Sequence, residues 1–276
     1  MVIDGKKLSQ EIIEELKKER GKLPYKIRLA VILVGEDEAS LSFIRQKEKV
    51  AKEIGIEFKL YQYDENLKTK DLRKNVNNIC RLGFNKGVVI QLPLPPQINT
   101  QSVLNAIPPE KDIDVLSEKN LGRFYTGRLK ILPPAVGAIK FLLKKYNIEI
   151  PGKNVLIIGR GLLVGKPSAL WFINERATVT VANSKTQNLP ELTKKADIIV
   201  TAAGVPDLIS GDLVKEGAVI FDAAVVSEKG RLAGDCDLKS LENKVKLITP
   251  VPAGLGPLTV AFLYKNLLYK GVSSFS

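Results

Sequence analysis

The segment Asn154-Val155-Leu156-Ile157-Ile158-Gly159-Arg160-Gly161-Leu162-Leu163-Val164-Gly165-Lys166-Pro167 reads as a buried strand that runs into a glycine turn and opens a helix. Glycines at such a junction let the backbone approach a ligand, and the first helical turn offers N–H groups with positive partial charge. A strand end, glycines and a helix start are what a pyrophosphate site needs. The spacing G-x-G-x-x-x-G, from Gly159 through Gly161 to Gly165, is one residue longer than the usual fingerprint. On this motif alone, a tight strand–helix turn without ligand stays open.

The next strand pattern, 178–182, sharpens the reading. It runs out through Ala182-Asn183-Ser184-Lys185-Thr186. A site for NAD usually carries Asp or Glu at this point to hold the ribose hydroxyls. Here no carboxylate is present to repel a phosphate. Ser184 can donate a hydrogen bond, and Arg160 and Lys185 bring positive charge. The expected cofactor is therefore NADP.

Further strand patterns at 197–202 and 218–222, with helices at 164–175 and 189–195, complete a Rossmann-type series. Pro151-Gly152-Lys153-Asn154 is the turn that starts it. Upstream, helix patterns at 6–20, 40–54 and 69–82 alternate with strand patterns at 27–34, 57–63 and 87–92, until Pro93, Pro95 and Pro96 stop regular structure. This order predicts a parallel sheet covered by helices on both faces. A loop-rich stretch, 107–133, precedes a helix at 136–146, and a last helix, 258–269, follows the proline- and glycine-rich 250–257. The expected fold class is α/β with two domains: an N-terminal parallel-sheet domain and a Rossmann-type dinucleotide-binding domain.

The composition narrows the chemistry. With 276 residues, 45% hydrophobic, the chain is long enough for two domains. Its apolar runs, such as Leu29 to Val34, are far too short to span a membrane, and Met1 to Lys7 carries no secretory signal. The two cysteines, Cys80 and Cys236, are distant and read as small buried hydrophobes in a reducing cytoplasm. Histidine is absent, which removes Ser-His-Asp and Cys-His machinery and most zinc sites. Acid–base work must fall to Lys, Asp, Glu or Tyr. The net charge of +12 admits nucleic acid, an anionic small molecule, or solvated lysines. The basic residues are scattered and not interleaved with aromatics, which favours solvated faces with anionic ligands as a contributor. Neither a nucleic acid, a membrane nor a metal is expected as a partner.

Three places in the first half bear on catalysis. Ser40, Phe43, Ile44 and Lys47 share one helix face, so Lys47 either snorkels to water or sits among apolar groups with a lowered pKa. Gln91 stands at the C-terminal end of a buried strand, as a loop anchor or facing a ligand cavity. In Lys111-Asp112-Ile113-Asp114 the two carboxylates fall on one side of an extended chain. One of them can accept two hydrogen bonds from an amino-pyrimidinone edge, or both belong to a solvated acidic loop.

Taken together, these segments resemble the bifunctional methylenetetrahydrofolate dehydrogenase/cyclohydrolases, in order over nearly the whole chain. The motifs include Val34-Gly35 with Ser40 and Lys47, Val89-Ile90-Gln91-Leu92-Pro93-Leu94-Pro95, Lys111-Asp112-Ile113-Asp114 and Gly159-Arg160 with Val164-Gly165-Lys166-Pro167. They continue with Asn183-Ser184-Lys185-Thr186, Gly234-Asp235 and Thr249-Pro250-Val251-Pro252-Ala253-Gly254-Leu255-Gly256-Pro257-Leu258-Thr259. The resemblance implies a folate-binding catalytic domain, 1–136 with the returning helix 257–276, and an NADP-binding domain, 137–256, around a cleft. It also implies a homodimer and a folate substrate. Lys47, Gln91 and Asp114 match catalytic positions, and Phe43, Leu92, Pro93, Pro252, Gly254 and Thr259 match the folate wall. Gly159, Arg160, Gly161, Gly165, Ser184 and Val225 match cofactor contacts. The reaction implied is hydride transfer from the methylene bridge of the folate to NADP, then hydrolysis of the methenyl cation to formyltetrahydrofolate.

Departures from the family pattern point at the hydrolytic step. Phe43 replaces a tyrosine, Val115 a glycine, Pro134-Ala135-Val136 a Cys-Thr-Pro, Gly161 a serine and Asn183 a histidine; Ala223-Ala224 and Ala253 also stand where glycine is common. The lost hydroxyl at Phe43 keeps a monofunctional dehydrogenase open, and the number of altered positions keeps open a non-catalytic folate- or dinucleotide-binding regulator.

Overall fold

The structure, a computed structural model, describes residues 1–228 and 231–273. The elements are α1 (Gly5–Gly21), β1 (Arg28–Val34), α2 (Glu38–Ile54), β2 (Glu57–Tyr63), α3 (Thr69–Arg81), β3 (Asn85–Ile90), α4 (Thr100–Leu104), α5 (Glu118–Tyr125) and α6 (Pro134–Lys145). They continue as β4 (Asn154–Ile158), α7 (Gly165–Asn174), β5 (Thr178–Ala182), α8 (Leu189–Lys195), β6 (Ile198–Thr201), β7 (Val219–Asp222), β8 (Val226–Glu228), β9 (Arg231–Ala233), α9 (Leu238–Leu241), β10 (Leu247–Thr249) and α10 (Leu255–Ser273). The chain divides into two compact units, Gln10–Pro134 with Val260–Ser276, and Met1–Ser9 with Ala135–Thr259.

The first unit is built on a parallel sheet in the order β2-β1-β3. Its middle strand, Arg-Leu-Ala-Val-Ile-Leu-Val, is buried from Leu29 to Val34, because helices cover both of its faces. β2 alternates between exposed and half-buried positions, as an edge strand does. α2 starts where the Asp37 carboxylate accepts the Ser40 N–H and stops at Gly55 in a left-handed conformation. β3 closes at Ile90, yet the Gln91 N–H still reaches the Ile32 carbonyl at 2.8 Å, so Gln91 stands at the very end of the ladder.

The second unit carries five parallel strands in the order β10-β7-β6-β4-β5. Counted from β4, this is the 2-1-3-4-5 order of doubly wound sheets, and the order reverses between β4 and β6. Leu156, Ile158, Ile199, Ile220 and Ile248 lie in its core. Residues 1–9, expected in the first domain, group with this unit, and Val2 bridges Ile248 beside β10. Ile3 N–H bonds the Ile248 carbonyl and Ile248 N–H bonds that of Met1, both at 2.9 Å.

Periodicity misses the short elements. The stretch 107–133, expected as loop, holds α5, capped by Ser117, whose side chain accepts the Asn120 N–H. α4, α9, the β8–β9 hairpin and β10 are likewise too short for a period to show. The last helix is longer than 258–269 at both ends, and residues 274–276 of the expected 257–276 lie outside the described residues. Among the described residues, no helix is long and apolar enough to cross a membrane.

Candidate active site and cofactor cradle

In the first unit α2, β3 and the chain after it bring three of the expected residues together. The Lys47 ammonium does not snorkel outward. It donates to Gln91 Oε1 at 2.8 Å, while Gln91 Nε2 donates to the Leu92 carbonyl at 3.0 Å. Gln91 is buried and both ends of its amide are used, so its oxygen has one orientation to offer Lys47. Burial holds the Lys47 amine below the ordinary lysine value, against the opposing pull of the Asp114 carboxylate. Burial in turn pushes Asp114 up to about 6, with Lys47 lowering it and Asp112 raising it further. Both groups are thus moved toward their neutral forms.

The two aspartates of the acidic loop have separate fates, and neither is the solvated residue that a polar loop suggests. Asp112 is 1% exposed. Its carboxylate accepts the N–H groups of Leu116 and Ser117 at 3.1 and 2.9 Å, the Ser117 hydroxyl at 2.6 Å and the Asn120 amide at 3.0 Å. This knot leaves Asp112 no capacity for a ligand. Asp114 takes no hydrogen bond from the described residues and keeps both oxygens available. Between aspartate and knot, Val115 adopts φ 61°, the left-handed conformation for which glycine is suited. A β-branched residue is strained there by about 1–2 kcal/mol, and the Asp112 bonds on the following amides hold it.

Phe43, one turn before Lys47, is half-buried and brings no hydroxyl to the amine. Leu92 is half-buried and Pro93 exposed, joined by a cis peptide bond. Ala135 is buried. Sequence reading passed over two residues of α10 that touch this site's backbone, Tyr264 and Asn266. The available signal was a polar asparagine inside an apolar helix.

In the second unit the glycine turn lies at the reversal of strand order. Gly159 has φ 97°, and a Cβ placed on it would stand 2.5 Å from the Ala202 carbonyl oxygen after β6. A Cβ on Gly165, the first residue of α7, would stand 2.1 Å from the Gly159 carbonyl oxygen. Neither position tolerates a side chain, and the backbone between them is drawn into a tight cradle at a helix start. The cradle thus fits a dinucleotide pyrophosphate. Arg160 and Gly161 are exposed on it, and Gly161 has open space where a side chain would be. After β5, the Asn183 side chain accepts the Lys185 N–H and the Thr186 hydroxyl accepts the Asn183 N–H, both at 2.9 Å. This turn presents Ser184 and Lys185 to solvent.

Buried Asp235 braces the loop beside the cradle. It accepts the Thr201 hydroxyl at 2.5 Å and the N–H groups of Ala203 and Val205 at 2.7 and 2.8 Å. Val225 is exposed. Of the remaining expected wall positions, Gly254 is buried, Pro252 is exposed, and the Thr259 hydroxyl donates to the Leu255 carbonyl at 3.0 Å within α10. All three belong to the second unit, whereas Lys47, Gln91 and Asp114 belong to the first.

Fold and sites define a two-unit α/β protein with a cradle that fits a dinucleotide in one unit and a half-buried lysine bonded to a buried glutamine in the other. The comparisons then specify it. Residues 3–114 match the catalytic domain of tetrahydrofolate dehydrogenase/cyclohydrolase, and residues 133–274 match its NAD(P)-binding domain. The chain belongs to this family. It is 39% identical to bifunctional protein FolD of Hydrogenobaculum sp. over 97% of each chain. The crystal structure of the Campylobacter jejuni bifunctional enzyme FolD superposes with a TM-score of 0.95, at 35% identity, over 99% of both chains. The Trypanosoma brucei dehydrogenase-cyclohydrolase, solved with NADP cofactor and inhibitor, superposes with a TM-score of 0.94 at 33% identity, over 100% of this chain and 98% of that one.

Proposed function

We propose that this chain oxidises methylenetetrahydrofolate to methenyltetrahydrofolate with NADP and then hydrolyses the product to formyltetrahydrofolate. The observation that carries the reading is the inward Lys47 amine on Gln91, with the Asp114 carboxylate acting on its pKa, in a chain with no histidine. The first unit is read as the folate-binding catalytic domain and the second as the NADP-binding domain, acting as a cytoplasmic homodimer.

NADP, when bound, accepts the hydride. Its pyrophosphate is held by the cradle of Gly159, Arg160, Gly161 and Gly165, and its extra phosphate by Arg160, Ser184 and Lys185, with Val225 beside the cofactor. The residues on the folate side supply position and proton movement. Asp114, with both oxygens free, accepts the amino-pyrimidinone edge of the pterin. Phe43, Leu92, Pro93, Pro252, Gly254 and Thr259 wall the folate. For the second step, water adds to the methenyl carbon and loses a proton. A lysine amine held below its ordinary pKa has a larger neutral fraction to take that proton, and Gln91 Oε1, accepting one of its N–H groups, holds the amine in place. Ring opening then breaks the bond from that carbon to the leaving nitrogen, which takes the proton back from the amine while the carbinol O–H gives its proton to solvent as the formyl C=O forms, so one proton is released overall.

The test supplies purified protein with methylenetetrahydrofolate and NADP and follows NADPH and methenyl absorbance together. The reading expects NADPH to appear with a methenyl transient that decays faster than in buffer. Absence of NADP reduction removes the dehydrogenase. A second reading, a dehydrogenase without hydrolysis, is favoured by Phe43 and Ala135, which bring no hydroxyl to the site. It predicts NADPH formation with methenyl decay at the uncatalysed rate.

A further inference from the structure

Lys47 and Asp114 come from separate elements, and α10 bonds the backbone at both. The Tyr264 phenol, 0% exposed, donates to the Lys47 carbonyl at 2.6 Å. Asn266 donates from Nδ2 to the carbonyl of Ile113, the residue before Asp114, at 2.9 Å, and to that of Leu132 at 2.8 Å. Leu267 and Ile113 both close over Gly87, where a Cβ would meet Leu267 Cδ1 at 2.7 Å and Ile113 Cδ1 at 2.9 Å. A mid-helix carbonyl has a second lone pair, and the phenol uses it at the one residue of α2 that carries the amine. An aliphatic residue would fill the same volume without needing a partner. The buried hydroxyl instead adds a directional bond.

We propose that Tyr264 and Asn266 are positioning residues that set the placement of the Lys47 amine against the Asp114 carboxylate. Their effect on turnover rests on the activity proposed above, but the placement itself is readable without turnover. The charged group that bears on Lys47 is Asp114, and behind Asp114 stands Asp112; Glu48 bears on the Tyr264 phenol. Gln91 is the neutral partner. Loosening α2 at Lys47 lets water reach the amine, so its titration moves up toward that of an ordinary lysine.

The experiment is the pH dependence of labelling of Lys47 by an amine-reactive reagent, read by peptide mass spectrometry on the full chain. Parent, Tyr264→Phe, Asn266→Ala and Leu268→Ala are compared, Leu268 being a buried residue of the same helix. Tyr264→Phe and Asn266→Ala are each expected to raise the Lys47 midpoint by about half a pH unit or more. Leu268→Ala is expected to lower the melting temperature and leave the midpoint in place. If Asn266→Ala does not fold, Tyr264→Phe, which removes a single oxygen, carries the test. An unchanged midpoint in Tyr264→Phe, or an equal shift in Leu268→Ala, overturns the proposal. In turnover, Tyr264→Phe is expected to lower kcat for methenyl hydrolysis about three- to tenfold with KM nearly unchanged. A parent chain that turns over no folate would remove the proposed activity and leave the labelling result standing.

Discussion

Beyond β1 and β3 the chain presents side chains, whereas beyond β4 and β6 it presents backbone. Both places are reversals of strand order in a parallel sheet, 2-1-3 in the first unit and the start of 2-1-3-4-5 in the second. At the first, a glutamine ends the ladder after β3 and accepts an N–H from the lysine amine of α2. At the second, two glycines leave no room for a Cβ at either position, so that amides and a helix start line the turn. One topology thus yields a lysine–glutamine pair in one unit and a backbone cradle in the other. What differs is whether the residues after the strands carry functional groups or give them up.

If the two sites are separable in this way, substitutions should damage one and spare the other. The largest effect is expected for Lys47→Ala. It should slow hydrolysis of supplied methenyltetrahydrofolate by about a hundredfold or more, and titration calorimetry should find NADP affinity within about twofold of the parent. An equal loss of NADP affinity would break the comparison. Gly165→Ala is its counterpart. A methyl group 2.1 Å from the Gly159 carbonyl oxygen must push the cradle open. We expect NADP affinity to fall by about ten- to a hundredfold and unfolding free energy by about 1–3 kcal/mol, with methenyl hydrolysis near parental.

Asp222 sharpens the contrast through pH. It is buried in the second unit, accepts the Ala224 and Cys236 N–H groups, and is pushed up to about 6 by burial, with Asp235 adding to the rise. A carboxyl with a raised folded pKa contributes stability that is complete below its unfolded value and is lost as pH rises through about 6. Between pH 4 and pH 8, Asp222→Asn should therefore gain on the parent by about 2 kcal/mol in denaturant unfolding. A constant difference would show that Asp222 is ionised throughout. The smallest effect is expected at Phe43, one turn before Lys47. Phe43→Tyr places a hydroxyl next to the amine and should raise methenyl hydrolysis several-fold, with NADP affinity unchanged.

The same contrast explains what could be read in advance. Gly159, Gly161 and Gly165 lie within one short segment behind an apolar strand, so the cradle is written locally and periodicity finds it. Lys47, Gln91 and Asp114 are far apart in sequence, and spacing gives no sign that an amine on α2 turns inward to an amide after β3. The resemblance assigned those residues their roles, the geometry shows Lys47 bonded to Gln91, and the Asp114 carboxylate pulls against the lowering of the Lys47 pKa. Asp112 and Asp114 look alike in sequence because they share a side of an extended chain. The left-handed Val115 and the capped start of α5 make the segment a knot, which consumes Asp112 and leaves Asp114 free. Tyr264 and Asn266 were hidden for a different reason. They lie on the last helix, and their partners are backbone carbonyls, which carry no sequence signature.

Cocrystals of the protein with NADP and a folate analogue test the account most directly. They should show the Lys47 amine within about 3 Å of the analogue's one-carbon position, with Asp114 on the amino-pyrimidinone edge. A folate bound elsewhere, with the amine turned out to water, would contradict it.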